Sequence, residues 1–134
     1  NHEDTAKSLH MIAVMFNENG ETDKAMKIFK EVLAIKEKIM GREHKSTAAT
    51  ITNIACILKE KGMLDEALEM FKEVLVIREN AIGRNHAHTA STMWNLANVL
   101  YRKGDSEAAL KLFEEALEVR TKALGNEHSK TKDT

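Results

Sequence analysis

Proline is missing from the 134 residues altogether, and tryptophan, tyrosine and cysteine occur once each. Without proline, nothing in the chain is obliged to break a helix. Aromatic residues make up 4% of the chain, too few for the β-branched and aromatic runs from which strands are built. A lone cysteine, Cys56, excludes an internal disulfide and fits a reducing compartment, so the cytoplasm is expected. No stretch approaches the roughly 18 apolar residues of a membrane span, and the opening residues NHEDTAK lack the apolar core of a secretory signal. Charge of one sign is missing too: 20 Lys and Arg nearly cancel 21 Asp and Glu, and the signs are mixed throughout. A basic face able to track a phosphate backbone is therefore not available, and neither nucleic acid nor a membrane is an expected partner.

What the chain does have is Ala, Leu, Glu, Lys and Met in abundance, the composition of an all-α protein. It also has a period. His2, His44, His86 and His128 recur every 42 residues, and the residues between them fall into register. A fixed period of this size marks a stacked-repeat architecture, in which each unit buries its apolar surface against the next. The expected division is a first repeat at about 2–43, a second at about 44–85, a third at about 86–127 and the start of a fourth at 128–134. The chain is thus read as a segment of a longer protein.

Each repeat is expected to be a helical hairpin. In the first, Asp4 or Thr5 caps a helix whose buried stripe is Leu9, Ile12, Ala13 and Phe16, and Gly20 ends it. Asp23 opens a second helix that turns Ala25, Phe29, Val32, Leu33 and Ile35 inward and stops at Gly41. The second repeat restates this with Ser46 or Thr47 as cap, then Ile51, Ile54, Ala55, Leu58, Gly62, Asp65, Ala67, Phe71, Val74, Leu75, Ile77 and Gly83. The third has Thr89, Met93, Leu96, Ala97, Leu100, Gly104, Glu107, Ala109, Phe113, Ala116, Leu117, Val119 and Gly125. The recurrent alanines mark close helix approach, and the recurrent phenylalanines fill the space beyond it.

The pattern Leu96-Ala97, Leu100, Gly104, Ala109, Phe113, Ala116 resembles the tetratricopeptide repeat, here with a long second helix and a connection of the form LG-x-x-H. The 42-residue form is similar to the repeats of kinesin light chains and nephrocystin-type proteins, and it covers His2 to His128. The resemblance implies a right-handed α-solenoid of three helix-turn-helix repeats whose first helices line a concave, peptide-receiving wall. The histidines are followed by Glu3, Lys45, Ala87 and Ser129 where those families place proline.

One residue beyond each buried position lies a second stripe on the first helices: His10 and Asn17, then Thr52, Cys56 and Lys59, then Trp94, Asn98 and Tyr101, widened by Asn53, Asn95 and Arg102. Asparagine offers both a donor and an acceptor to a peptide bond. Trp, Tyr and Arg are the residue types that dominate binding hot spots. By the resemblance, Asn53, Asn95 and Asn98 act as backbone clamps and Arg102 anchors an acidic side chain. The competing reading has the asparagines bonded to neighbouring helices and Trp94 packed on an adjoining repeat. The several Lys and Arg of a chaperone-type carboxylate clamp are not matched.

No phosphate-cradling glycine loop, HExxH or nucleophile elbow is present, so the expectation is a non-enzymatic protein-binding module with no cofactor and no metal. The histidines recur too far apart to share one ion and are expected to hydrogen-bond within the connections. The alternative is a spacer or self-association arm of a larger signalling NTPase or cytoskeletal adaptor. An uncovered last repeat should leave Leu110, Leu112, Leu117, Val119 and Leu124 more exposed than their counterparts, favouring end-to-end association through repeat 3.

Overall fold

The computed structural model describes the backbone of residues 2–132 and the side chains of residues 4–125. Six helices follow one another: α1 (His2–Glu18), α2 (Thr22–Met40), α3 (Lys45–Glu60), α4 (Leu64–Ile82), α5 (Ala87–Arg102) and α6 (Ser106–Lys132). No strand occurs among the described residues. α1 packs on α2, α3 on α4 and α5 on α6, while α2 meets α3 and α4 meets α5. The chain is therefore a row of three hairpins, each second helix wedged against the next first helix.

The alanines sit where the two helices of a hairpin must approach: Ala13, Ala25, Ala55, Ala67, Ala97 and Ala109 are all buried. Phe29 and Phe71 are sealed beside them. One cluster runs from Ala13, Ala25 and Phe29 through Ile54, Ala55, Ile57, Leu58, Ala67 and Phe71 to Leu96 and Val99, so the apolar core crosses both junctions. Burial is thus shared between neighbours, as a stacked array requires.

Polar contacts recur at the junctions with the period of the sequence. Lys36 Nζ donates to the Ser46 carbonyl at 3.1 Å and to Thr50 Oγ1 at 2.9 Å. Its counterpart Arg78 donates to the His88 carbonyl at 3.1 Å and to Thr92 Oγ1 at 2.7 Å. Arg42 pairs with Glu37 and Glu73, and Arg84 with Glu79 and Glu115. Lys61 reaches back to Asp23, and Lys103 to Asp65. Most of these pairs are solvent-exposed and add little energy each. Their contribution is register, because they bring the same positions together at both junctions.

The connections correct the expected caps. α3 and α5 begin directly after His44 and His86, whose Nδ1 atoms accept from the main-chain N–H groups of Ser46 and His88 at 3.0 and 3.1 Å. Thr47 and Thr89 lie inside the helices, where each donates its hydroxyl back to a glycine carbonyl, Gly41 at 2.8 Å and Gly83 at 2.7 Å. An imidazole can reach two residues on as a serine does, which leaves the buried threonines free to lock the preceding turn. Asp4 and Thr5 likewise stand within α1, which has already begun at His2. The side chains of His2 and of residues 128–134, on which the expected start of a fourth repeat falls, lie outside the described residues.

Thr89→Val tests that lock. The substitution keeps the shape of a side chain that has no exposure but leaves the half-buried Gly83 carbonyl without its donor, and should cost about 1–2 kcal/mol. A urea midpoint unchanged from the parent chain would show that the hydroxyl does not hold the connection.

Gly41 and Gly83 turn the chain with φ of 86° and 89°, values that glycine adopts without penalty. Gly125 was expected to do the same and does not: α6 runs through it. Glycine permits a left-handed turn but does not impose one. α2 and α4 end where the following first helix docks on them, and no such helix docks on α6 among the described residues.

Burial at the two ends follows the same logic. Leu110, Leu117 and Leu124 are exposed as expected, Leu110 by 59% and Leu117 by 65%. Val119 corrects the expectation, being buried with Ala90, Met93 and Ala116 inside its own hairpin. Leu112 is half-buried, as is its counterpart Met70. Ile12, expected inside, is 44% exposed, whereas the matching Ile54 is 1% exposed. The preceding hairpin covers Ile54, and none of the six helices covers that side of α1.

Candidate functional site

α3 and α5 touch each other, whereas α4 meets neither α2 nor α6. At that junction the first helices approach each other more closely than the second helices do, whereas α1 and α3 do not touch. The face that the first helices present carries the stripe singled out above.

Asn17, Asn53, Asn95 and Asn98 are half-buried on this face. None of the hydrogen bonds and ion pairs among the described residues uses their side-chain amides. Helical positions turn them away from the hairpin interiors that Ile51, Ile54, Met93 and Leu96 occupy. The reading in which the asparagines bond neighbouring helices is not what the structure displays. Their donors and acceptors are left facing outward.

Arg102 bridges the face. Its guanidinium donates to the Lys59 carbonyl at 2.7 Å, tying the end of α5 to the end of α3, and the rest of its fork remains exposed. Tyr101 beside it is exposed. Lys59 is half-buried and supplies only its carbonyl to this contact. Thr52 spends its hydroxyl within α3, donating to the Ala48 carbonyl at 2.9 Å. Burial pushes the half-buried Cys56 thiol up, so it behaves as a small apolar side chain rather than a nucleophile.

Trp94 stands apart from the asparagines. Its ring meets Phe113 edge to face at 4.6 Å, and it borders a cavity of about 140 Å³ with Ala90, Ser91, Ala116, Leu117 and Arg120. In the first hairpin, the matching His10 makes the same edge contact with Phe29 at 5.6 Å. The hollow beside His10, about 400 Å³, is lined by Lys36 and Met40 of α2 and by Ser46 at the start of the next hairpin. This position is therefore turned toward the following unit, and Trp94, 51% exposed, is open because nothing follows it among the described residues.

His10 Nδ1 is buried and has no hydrogen-bond partner. Burial first, and the nearby Lys36 charge second, hold its imidazole below the ordinary value of 6.5. A folded value below the unfolded one means that the unfolded chain takes the proton more readily. Stability is then full above 6.5 and lost as the pH falls through that value toward the folded one. His10→Phe, which keeps a ring on Phe29, should lose less stability than the parent chain between about pH 7.5 and about pH 5. Equal losses in urea titrations would remove His10 from the account.

Among the described residues no three His, Cys, Asp or Glu side chains gather as a metal site, and no helix is long and apolar enough to cross a membrane. His86 and His88 stack at 5.1 Å. Sequence reasoning missed Lys36 and Arg78, whose shared register with Arg120 was the available signal.

The sequence profile of the tetratricopeptide repeat matches residues 4–80 and 46–122. Among solved structures, a Podosopora anserina protein described as a kinesin light chain with nearly identical TPR-like repeats is similar at 24% identity. The match covers 86% of this chain and 55% of that one with a TM-score of 0.75. BtubC (BKLC) from P. vanneervenii is similar at 24% identity over 90% of this chain and 48% of its own, with a TM-score of 0.84. The N-terminal domain of stress-induced protein-1 from C. elegans shares 13% identity over 90% and 87% of the two chains, with a TM-score of 0.71. The chain spans about half the length of the first two. At these identities the likeness is one of fold, a right-handed α-solenoid. No curated protein sequence matches the chain.

Proposed function

The chain belongs to the tetratricopeptide repeat family, a family of protein-interaction repeats, and from that premise we propose that it binds an extended peptide segment of a partner protein along its first-helix face, without catalysis. Asn53, Asn95 and Asn98 hold the peptide backbone, Tyr101 packs on a side chain, and Arg102 takes an acidic group. The observation that carries this reading is the set of half-buried asparagine amides with unspent donors and acceptors. Such amides grip a main chain of any sequence, while selectivity falls to the side chains around them. The kinesin-light-chain-like solenoids are in keeping with it at the level of fold.

A peptide-array screen followed by binding titrations tests the reading. Peptides captured by the chain should be lost on Asn95→Ala with helicity unchanged; capture that survives the change would refute the asparagine clamp.

A second reading, a spacer or self-association arm of a larger protein, is favoured by the apolar side chains exposed at both ends, Ile12 and Met15 on one and Leu110 and Leu117 on the other.

A further inference from the structure

A hollow of about 440 Å³ lies at the junction between the second and third hairpins. It is lined by Lys45 and Ala49 of α3, by Arg78 and Ile82 of α4, and by His86 and His88 where α5 begins. All four of its ionisable side chains are cations or bases, and no carboxylate lines it. The carboxylates of the two connections are engaged elsewhere. Glu37 and Glu73 pair with Arg42, and Glu79 and Glu115 with Arg84, while Glu43 borders a separate hollow with Val76 and Asn80.

Arg78 is half-buried and meets only neutral acceptors. Its Nη1 donates to the His88 carbonyl and to Thr92 Oγ1, while Nε and Nη2 make no bond among the described residues. A cation withdrawn from water without a counterion is costly, so the hollow favours an anion. Burial first, and then the charges of Arg78 and His86, hold the His88 imidazole below its ordinary value of 6.5, as an excess of positive potential would. His86 Nδ1 accepts from the His88 main-chain N–H, which places the proton of a neutral His86 ring on Nε2 as a further donor. The positive ends of α3 and α5 add to the same potential.

The matching hollow at the first junction lacks this chemistry. Lys36 stands there for Arg78 and Ser46 for His88, and Ala6, Met11, Ile39 and Met40 make its wall largely apolar. The donor set is therefore particular to the second junction and is not a consequence of stacking. Lys45, Ala49 and Asn53 follow one another at four-residue intervals along one face of α3, so the asparagine stripe leads to the hollow.

We propose that this hollow takes a phosphoryl group carried on a serine or threonine of the peptide held by the asparagine stripe. This rests on the peptide-binding reading above and adds to it the modification state of the partner. A phosphate monoester has a charge of about −2 and three acceptor oxygens. It matches the two fixed charges of Lys45 and Arg78 and leaves oxygen for the imidazoles. The guanidinium fork suits such a group better than the ammonium that holds this place at the first junction. A carboxylate brings half the charge and one oxygen fewer.

The test titrates the isotope-labelled full chain with O-phosphoserine, with inorganic phosphate, and with a captured peptide carrying serine or phosphoserine at each position in turn. The imidazole shifts of His86 and His88 report the hollow. At one peptide position phosphoserine should bind at least about tenfold more tightly than serine, and aspartate should fall well short of it. The gain should vanish in Lys45→Glu. It should vanish too in Arg78→Lys combined with His88→Ser, which installs the residues of the first junction and so keeps the helix contacts; circular dichroism checks the fold. Peptides bound equally with and without phosphate overturn this proposal and leave the asparagine clamp standing. Failure to capture any peptide, with O-phosphoserine or inorganic phosphate still moving both imidazoles, removes the clamp and the peptide as carrier but leaves an anion site. Imidazoles that none of the three probes moves overturn the site itself.

Discussion

Phe71→Ala should remove about 3–5 kcal/mol of stability, whereas Phe113→Ala, the same change one repeat later, should cost distinctly less. Phe71 has no exposure and lies in the cluster that joins all three hairpins. Truncating it loses the transfer energy of the ring and leaves a hole in the cluster it shares with Ala55, Ala67, Leu58 and Val99, residues held in place by their own helices. Phe113 is half-buried against Trp94, so solvent already reaches it and the surroundings can close in. Because a stacked array is stabilised by its interfaces, damage at the central hairpin weakens both junctions, while damage at the last weakens one. Urea unfolding followed by circular dichroism measures the pair of differences. Equal costs would mean that the third hairpin is as well covered as the second.

Replacing Asn95 and Asn98 together with alanine should lower affinity for a captured peptide by about 100-fold while leaving the unfolding midpoint nearly unchanged. The two effects separate because neither amide is hydrogen-bonded to the described residues. Folding therefore does not depend on them, and a bound main chain would. Each lost amide leaves a peptide group without its partner in a partly dry groove, which is where the penalty arises. Asn53→Ala should act in the same direction and more weakly as a single change. A matching loss at Thr52→Val would point elsewhere, since that hydroxyl is already spent on the Ala48 carbonyl.

The period made the hairpins and their core legible in advance. Alanine at a fixed place in each unit says that two helices approach closely, whatever the third dimension holds. The asparagines were singled out for a related reason: they are polar residues on a stripe that burial does not need, and their amides are unbonded among the described residues. The connections were not. Serine and threonine are the commoner helix caps, and no feature of the residue order says that His44 and His86 take that role so that Thr47 and Thr89 can bond the glycines behind them. Gly125 was misjudged because a glycine records what the backbone can do, while docking of the next helix decides what it does. The position of Trp94 could not be settled by periodicity, since one stripe of a first helix borders both the asparagine face and the following unit. Its contact with Phe113 and its place beside Leu117 and Arg120 put it nearer the end face than the asparagines are.

The claim that the asparagine face of the first helices receives a partner is tested most directly by amide chemical-shift mapping of the isotope-labelled 134-residue chain during titration with a captured peptide. The largest perturbations should fall on α3 and α5, at Asn53, Asn95, Asn98, Tyr101 and Arg102. Perturbations centred instead on the second helices, around Lys27, Lys30, Glu69 and Lys72, would contradict it.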